Sequence, residues 1–172
     1  PVPMFYHRDI DGAERRAGES SRTTHGAPEC VDACRLLARV LVRTLRGEPK
    51  DAVLLGDADG FAAAPRIAAM ASGGYRGKPE SDIRGSGYVV DCLEAAVWAF
   101  ARTDGFADTT AAVCGQVAGA FYGEQGIPAR WLQKLAMREQ IAALADGLTR
   151  ESGPQRTPAA RMMGTRDGGS RS

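Results

Sequence analysis

The sequence is poor in aromatic residues, which make up 6% of its 172 positions. A chain of this length suffices for one domain with a buried core, so that core is expected to be built from Ala, Leu and Val. Side chains that small favour closely packed helices. The sequence also lacks an excess of either charge: 22 basic residues stand against 21 acidic ones, leaving +1. No global attraction to nucleic acid or to an anionic membrane surface is therefore expected. It lacks an apolar run of the ~18 residues that a membrane-crossing helix needs. Pro1 to Ile10 lack the charged-then-apolar pattern of a secretory address, which leaves a cytoplasmic location as the expectation. None of the cysteines, Cys30, Cys34, Cys92 and Cys114, forms the C-x-x-C spacing of a zinc site. All fall at apolar positions that look helical, and they are expected to be plain buried thiols. The chain begins at Pro1 with no initiator Met, as a fragment or a processed product would.

What is present is helical periodicity. Residues 1–26 are mixed and polar, and Thr24 with Pro28 gives the chemistry of a turn and a helix start. From Cys30 to Leu45 the apolar residues Val31, Cys34, Leu37, Leu41 and Leu45 recur at the period of one helical face, with Arg35, Arg39, Arg43 and Arg46 on the others. Gly47-Glu48-Pro49 ends that helix. A helical turn at residues 51–55 leads into the loop Gly56-Asp57-Ala58-Asp59-Gly60, and a short Ala-rich helix is expected over residues 62–71. Residues 72–87 form the longest internal loop, and long loops inside compact domains are often functional.

Val89, Leu93, Ala96, Val97 and Phe100 mark one face of a helix from Tyr88 to Arg102, with Asp91 and Glu94 in its first turns, where negative charge suits the helix dipole. A third helix, about residues 109–122, is rich in small residues, and Gly115 and Gly119 suggest close helix contact. Gly123 to Gly126 breaks the chain, and Pro128 opens a fourth helix whose period runs through Trp131, Leu135, Ile141 and Leu144 to about Thr149. Residues 151–172 carry almost no large apolar groups and read as a disordered polar tail, leaving residues 1–150 as the folded domain. No strand-like alternation competes, so the fold class is all-α.

The run from Ala107-Asp108-Thr109-Thr110 through Gly115-Gln116-Val117-Ala118-Gly119 to Phe121-Tyr122-Gly123, followed by Gly126-Ile127-Pro128 and Trp131-Leu132, resembles the C-terminal signature of the ADP-ribosylglycohydrolase family. Ser21-Arg22-Thr23-Thr24-His25 and Gly85-Ser86-Gly87-Tyr88-Val89 match two further family segments in the right order, so the likeness covers roughly residues 20–148. The resemblance implies an orthogonal multi-helix bundle whose cleft holds two Mg2+ ions and whose activity is removal of ADP-ribose from a modified protein side chain or small molecule. Hard cations take oxygen ligands, and a metal can polarise the sugar and position water. By the same resemblance Asp108 is catalytic, Asp108 and Thr109 are metal ligands, and His25, Gly87 and Tyr88 bind substrate. The partner is an ADP-ribosylated protein or small molecule, with no nucleic acid and no membrane, and the chain is expected to be a monomer.

The family motif is Asp-x-Asp-Thr, and Phe106 stands where its first Asp would be. The family also carries a helical segment between Phe106 and Ala107, and a Thr-Asp-Asp ligand cluster that would lie before Pro1. A second reading follows from a different class: a truncated, catalytically inactive member that binds ADP-ribose or a protein partner. The local readings also stand. Asp108 or Thr109 can be the N-cap of the helix that follows. His25 can be a surface loop histidine, Tyr88 a packing aromatic at a helix start, and Arg22 a solvated charge. Asp57 and Asp59 lack a following Thr and helix and read as a solvated loop.

Overall fold

Proline and small polar residues set the helix starts. Asp9 turns its carboxylate onto the backbone amide of Gly12, 2.9 Å away, satisfying one of the free donors of the helix it opens. Pro28 and Pro65 each occupy the first helical turn, where the missing N–H costs nothing. The computed structural model describes residues 1–55, 61–102 and 112–151. Its helices are α1 (Val2–Phe5), α2 (Ile10–Arg22), α3 (Pro28–Leu45), α4 (Lys50–Leu55), α5 (Pro65–Ala71), α6 (Val89–Arg102), α7 (Ala112–Tyr122), α8 (Ala129–Leu132) and α9 (Arg138–Arg150). Short 3₁₀ turns lie at Glu80–Asp82 and Glu124–Gly126. Among the described residues there is no strand, and the fold is all-α as expected. None of these helices is long and apolar enough to cross a membrane. The loop at residues 56–60, Asp108, Thr109 and residues 152–172 of the expected tail lie outside the described residues.

α3 is the axis of the molecule: it touches α2 and α1 on one side, and α4, α5, α6 and α7 on the other. Its buried residues accordingly fall on two faces. Ala33, Leu36 and Val40 join Ile67, Met70, Tyr75, Val90, Leu93, Val97, Phe100 and Val117 in the main core. Val31, Ala38 and Val42 are buried apart from that cluster. Phe100 is fully buried, and its ring meets those of Phe121 and Tyr122 edge to face at 5.4 and 6.2 Å. Burying one such side chain stabilises the fold by about 1.5–3 kcal/mol. α3 ends where Gly47 takes φ 72°, a left-handed conformation that glycine adopts without strain.

Three expectations are corrected. The first concerns residues 1–26, read as mixed and polar, which contain the thirteen-residue helix α2. Its buried face is Gly12, Ala13, Ala17, Gly18 and Ser21, which offers too little apolar area to register as a stripe. What it offers is close approach: a Cβ on Gly18 would meet Arg35 Cγ at 3.3 Å and Val31 Cγ1 at 3.4 Å. Ion pairs complete the contact. Arg35 Nε donates to Glu14 Oε1 at 2.8 Å and Arg39 Nη1 to Glu14 Oε2 at 2.6 Å, with the Glu14 side chain only 14% exposed.

The second correction lies in the fourth expected helix, which is two. α8 stops at Leu132, Met137 takes the left-handed φ of 58°, and α9 starts at Arg138. The stripe that suggested one helix is largely unburied: Trp131 is 39% exposed, Leu135 46%, Ile141 48% and Leu144 70%, and α9 has no buried residue. Helix length in proteins is set mainly by packing of the apolar face. Without it, nothing holds the two halves in one register.

The third correction is at Gly115 and Gly119, where a Cβ would meet nothing within 4 Å, so neither marks close helix contact. α7 is buried through Cys114, Val117 and Ala118 instead.

Residues 72–87 are long but anchored to α6. Trp98 Nε1 donates to Lys78 O at 2.9 Å, Lys78 Nζ pairs with Glu94 Oε1 at 2.6 Å, and Arg102 Nη2 donates to Lys78 O at 3.1 Å. This fixes the segment that delivers Gly87 and Tyr88 to the start of α6.

Candidate ligand groove

The apolar stripe that identifies α3 in the sequence is not the one that fills the core. Cys34, Leu37 and Leu41 are half-buried and, with Cys30, form one wall of a groove of about 760 Å³. That volume falls within the ~300–1,000 Å³ typical of ligand clefts. The opposite wall comes from the start of α6, with Gly87, Tyr88, Val89 and Cys92, and from Val113 and Gln116 of α7. Thr24 and His25, at the turn between α2 and α3, close one end. Three cysteines thus depart from the expectation of plain buried thiols: Cys30, Cys34 and Cys92 are half-buried groove wall. Cys114 is buried as expected, and burial pushes its thiol up.

Residues proposed as a site from the sequence therefore come together in part. His25, Gly87 and Tyr88, from segments far apart in the chain, line the same groove. Asp108 and Thr109 lie outside the described residues. His25 is exposed and held by its own turn: its Nδ1 lies 3.0 Å from Thr24 Oγ1, and Ser21 Oγ donates to its carbonyl at 3.1 Å. Arg22 is exposed, as a solvated charge should be. Among the described residues no three His, Cys, Asp or Glu gather where a metal ion could be held. The described part of the chain therefore does not supply the octahedral oxygen cage that magnesium demands.

Tyr88 is not a packing aromatic, since 41% of its surface is exposed. It is nonetheless fixed from several directions. Its hydroxyl donates to Glu29 Oε2 at the start of α3, and the Arg66 guanidinium of α5 lies over its ring, 5.5 Å from the centroid. Its backbone amide donates to Ser86 Oγ at 3.1 Å, while the Ser86 hydroxyl donates to Asp91 Oδ2 at 2.9 Å. Arg66 Nη2 donates to the other Asp91 oxygen at 2.7 Å. The bond to Glu29 leads the influences that push the Tyr88 phenol above its ordinary range, with Arg66 acting the other way. The bonds from Arg66 and then Ser86 hold the Asp91 carboxyl below the usual carboxylate range.

No sequence pattern singles out Glu29 or Arg66, Ser86 enters only within the matched Gly85–Val89 segment, and Asp91 reads only as a charge suited to the helix dipole. Glu29 and Tyr88 are 59 positions apart, so no local pattern joins them. The spacing of Cys30, Cys34, Leu37 and Leu41 was a usable signal, but it spoke of an apolar face and not of which neighbour covers it. Chemically, the groove has apolar walls, one exposed aromatic face, and hydroxyl and imidazole groups at its rim. That suits a ligand with a flat ring and sugar hydroxyls.

Comparison with known proteins agrees with the residues. The pattern of the ADP-ribosylglycohydrolase family matches residues 1–158. Over 161 residues the chain is 35% identical to the ADP-ribosylarginine hydrolase Tri1 of Pseudomonas putida (strain GB-1), covering 86% of this chain and 43% of that protein. The Tri1 protein of Serratia proteamaculans (strain 568) is 34% identical over the same coverage. The ADP-ribosyl-[dinitrogen reductase] glycohydrolase of Rhodospirillum rubrum is 37% identical over 78 residues, 34% of this chain and 26% of that one. A solved structure of an ADP-ribosylglycohydrolase-related protein complex superimposes with a TM-score of 0.75 at 39% identity, covering 89% of this chain and 58% of the other. The chain spans less than half the length of the curated relatives it matches. From its motifs, its helical fold and the match across residues 1–158, the chain belongs to the ADP-ribosylglycohydrolase family.

Proposed function

We propose that the groove between α3 and α6 receives ADP-ribose, and that the chain takes part in hydrolysing the bond between ADP-ribose and a modified side chain. The observation that carries this is the convergence of His25, Gly87 and Tyr88 on one groove of ligand size in a chain of this family. The acceptor class we favour is arginine, since both Tri1 relatives are ADP-ribosylarginine hydrolases. In such a hydrolysis the water oxygen joins the anomeric carbon, the bond to the guanidine nitrogen breaks, and the departing guanidine takes the proton. Tyr88 offers a fixed aromatic face to the ligand, and the half-buried wall of Cys34, Leu37 and Leu41 excludes water from one side. Asp108 and Thr109 are hard oxygen donors and the residues we assign to Mg2+, whose charge polarises the sugar and positions water when bound. The setting we infer is cytoplasmic, with the chain acting as a monomer.

A second reading has its own support. Phe106 stands in place of the first Asp of the motif, and the described residues hold no metal cage. On this reading the groove binds ADP-ribose without cleaving it. Incubating the chain with ADP-ribosylated arginine, with and without Mg2+, separates the two. Hydrolysis predicts release of free ADP-ribose that requires Mg2+ and is lost in Asp108→Ala. Binding without release supports the second reading, and neither binding nor release contradicts both.

A further inference from the structure

Tyr88 combines high exposure with many constraints. An exposed aromatic side chain ordinarily samples several rotamers, and a ligand that stacks on it must first select one. Here three elements have already made the selection. α3 supplies the Glu29 carboxylate that accepts the phenol, α5 supplies the Arg66 guanidinium over the ring, and the approach to α6 supplies Ser86 for the backbone amide. Asp91 ties two of these together, accepting from both Arg66 and Ser86 at 2.7 and 2.9 Å. The Asp91 side chain is only 12% exposed, against 51% for Arg66, so the carboxylate is the fixed point and the cation is held by it. None of the four polar groups belongs to the core cluster, to which α6 contributes Val90 and Leu93.

We propose that Glu29 and Arg66 are positioning residues, which act through Tyr88 by presenting its ring to the groove in one preset orientation. This rests on the reading of the groove as an ADP-ribose site. Among the described residues the charged groups facing Tyr88 are Glu29 from α3 and Arg66 from α5, with Asp91 of α6 reaching it through Ser86 and Arg66. The two facing charges act on the phenol in opposite senses: the bond to Glu29 holds its proton and pushes its ionisation to higher pH, and the cation pulls it to lower pH.

The test has two readouts on the full chain. The first needs no ligand: tyrosine ionisation is followed by pH titration of the ring carbon resonances, with Tyr88→Phe identifying the Tyr88 signal. Glu29→Gln is expected to move the Tyr88 transition down, and Arg66→Ala to move it up. Transitions unmoved in both variants overturn the arrangement. The second readout is calorimetric titration with ADP-ribose. Glu29→Gln is expected to weaken binding about three- to ten-fold, the scale of ordering one side chain. In a Tyr88→Phe background the same change is expected to add nothing, because Glu29 then has no hydroxyl to hold. Wild-type binding that Glu29→Gln leaves unchanged, or losses that simply add in the double variant, overturn the positioning role alone. No binding by the wild type, with the tyrosine transition still shifted, overturns the ADP-ribose reading of the groove and the ligand role resting on it.

Discussion

Two of the apolar stripes of α3 have nearly the same chemistry and different degrees of burial. One, through Leu36 and Val40, is buried in the core, with Ala33 buried where the core meets the groove. The other, through Cys34, Leu37 and Leu41, is half-buried: Leu37 and Leu41 rest against the edge of the core and, with Cys34, line a groove of about 760 Å³. Both sides carry aliphatic or thiol groups, so composition does not distinguish them. What distinguishes them is which neighbouring helix arrives. The difference teaches that an apolar stripe on a helix can record the wall of an open groove as readily as a core, and that this chain carries one of each on a single element.

If this division is right, substitutions on the filled side should cost most. Phe100→Ala, which empties the centre of the filled side, is expected to destabilise by about 3–5 kcal/mol, read as a lowered midpoint in urea unfolding. Next comes the contact that holds α2 to α3. Glu14→Ala leaves Arg35 and Arg39 partly buried without their shared carboxylate, and a loss of about 2–3 kcal/mol is expected by the same measurement. On the groove side, Leu37→Ala should cost less, about 1–2 kcal/mol, because its side chain is only partly buried at the edge of the core. A loss as large as that of Leu36→Ala, about 2–5 kcal/mol, would erase the distinction between the two sides. Leu144→Ala on α9, 70% exposed, should fall within about 0.5 kcal/mol of wild type.

The smallest effect expected is on pH dependence. The Asp91 carboxyl is held below its ordinary range by Arg66 and then Ser86. Its contribution is therefore present above the unfolded carboxyl range and lost as pH falls through the depressed folded value. Asp91→Asn should flatten the acid limb of the stability profile, and an unchanged limb would show that Arg66 and Ser86 do not hold the ionised form.

Much of the fold was legible because α3 and α6 carry large residues at helical spacing. α2 was not, because a helix buried through Gly12, Ala13, Ala17, Gly18 and Ser21 makes its contact by lacking side chains. The last helical stretch was over-read for the converse reason. Trp131, Leu135, Ile141 and Leu144 have the period of a packed helix, yet they lie 39–70% exposed on two separate helices and the break between them. Of the groove, Tyr88, Gly87 and His25 were legible through family motifs. Glu29 and Arg66 were not, since their relation to Tyr88 is made by tertiary approach between α3, α5 and α6.

The central claim is that the open side of α3 faces ADP-ribose. Adding ADP-ribose to isotope-labelled chain and following backbone amide resonances tests it directly. The account predicts shifts concentrated at Cys34, Leu37, Leu41, Gly87 and Tyr88, with Leu36 and Val40 little changed. Shifts centred on α8 and α9, or none at saturating ligand, would contradict it.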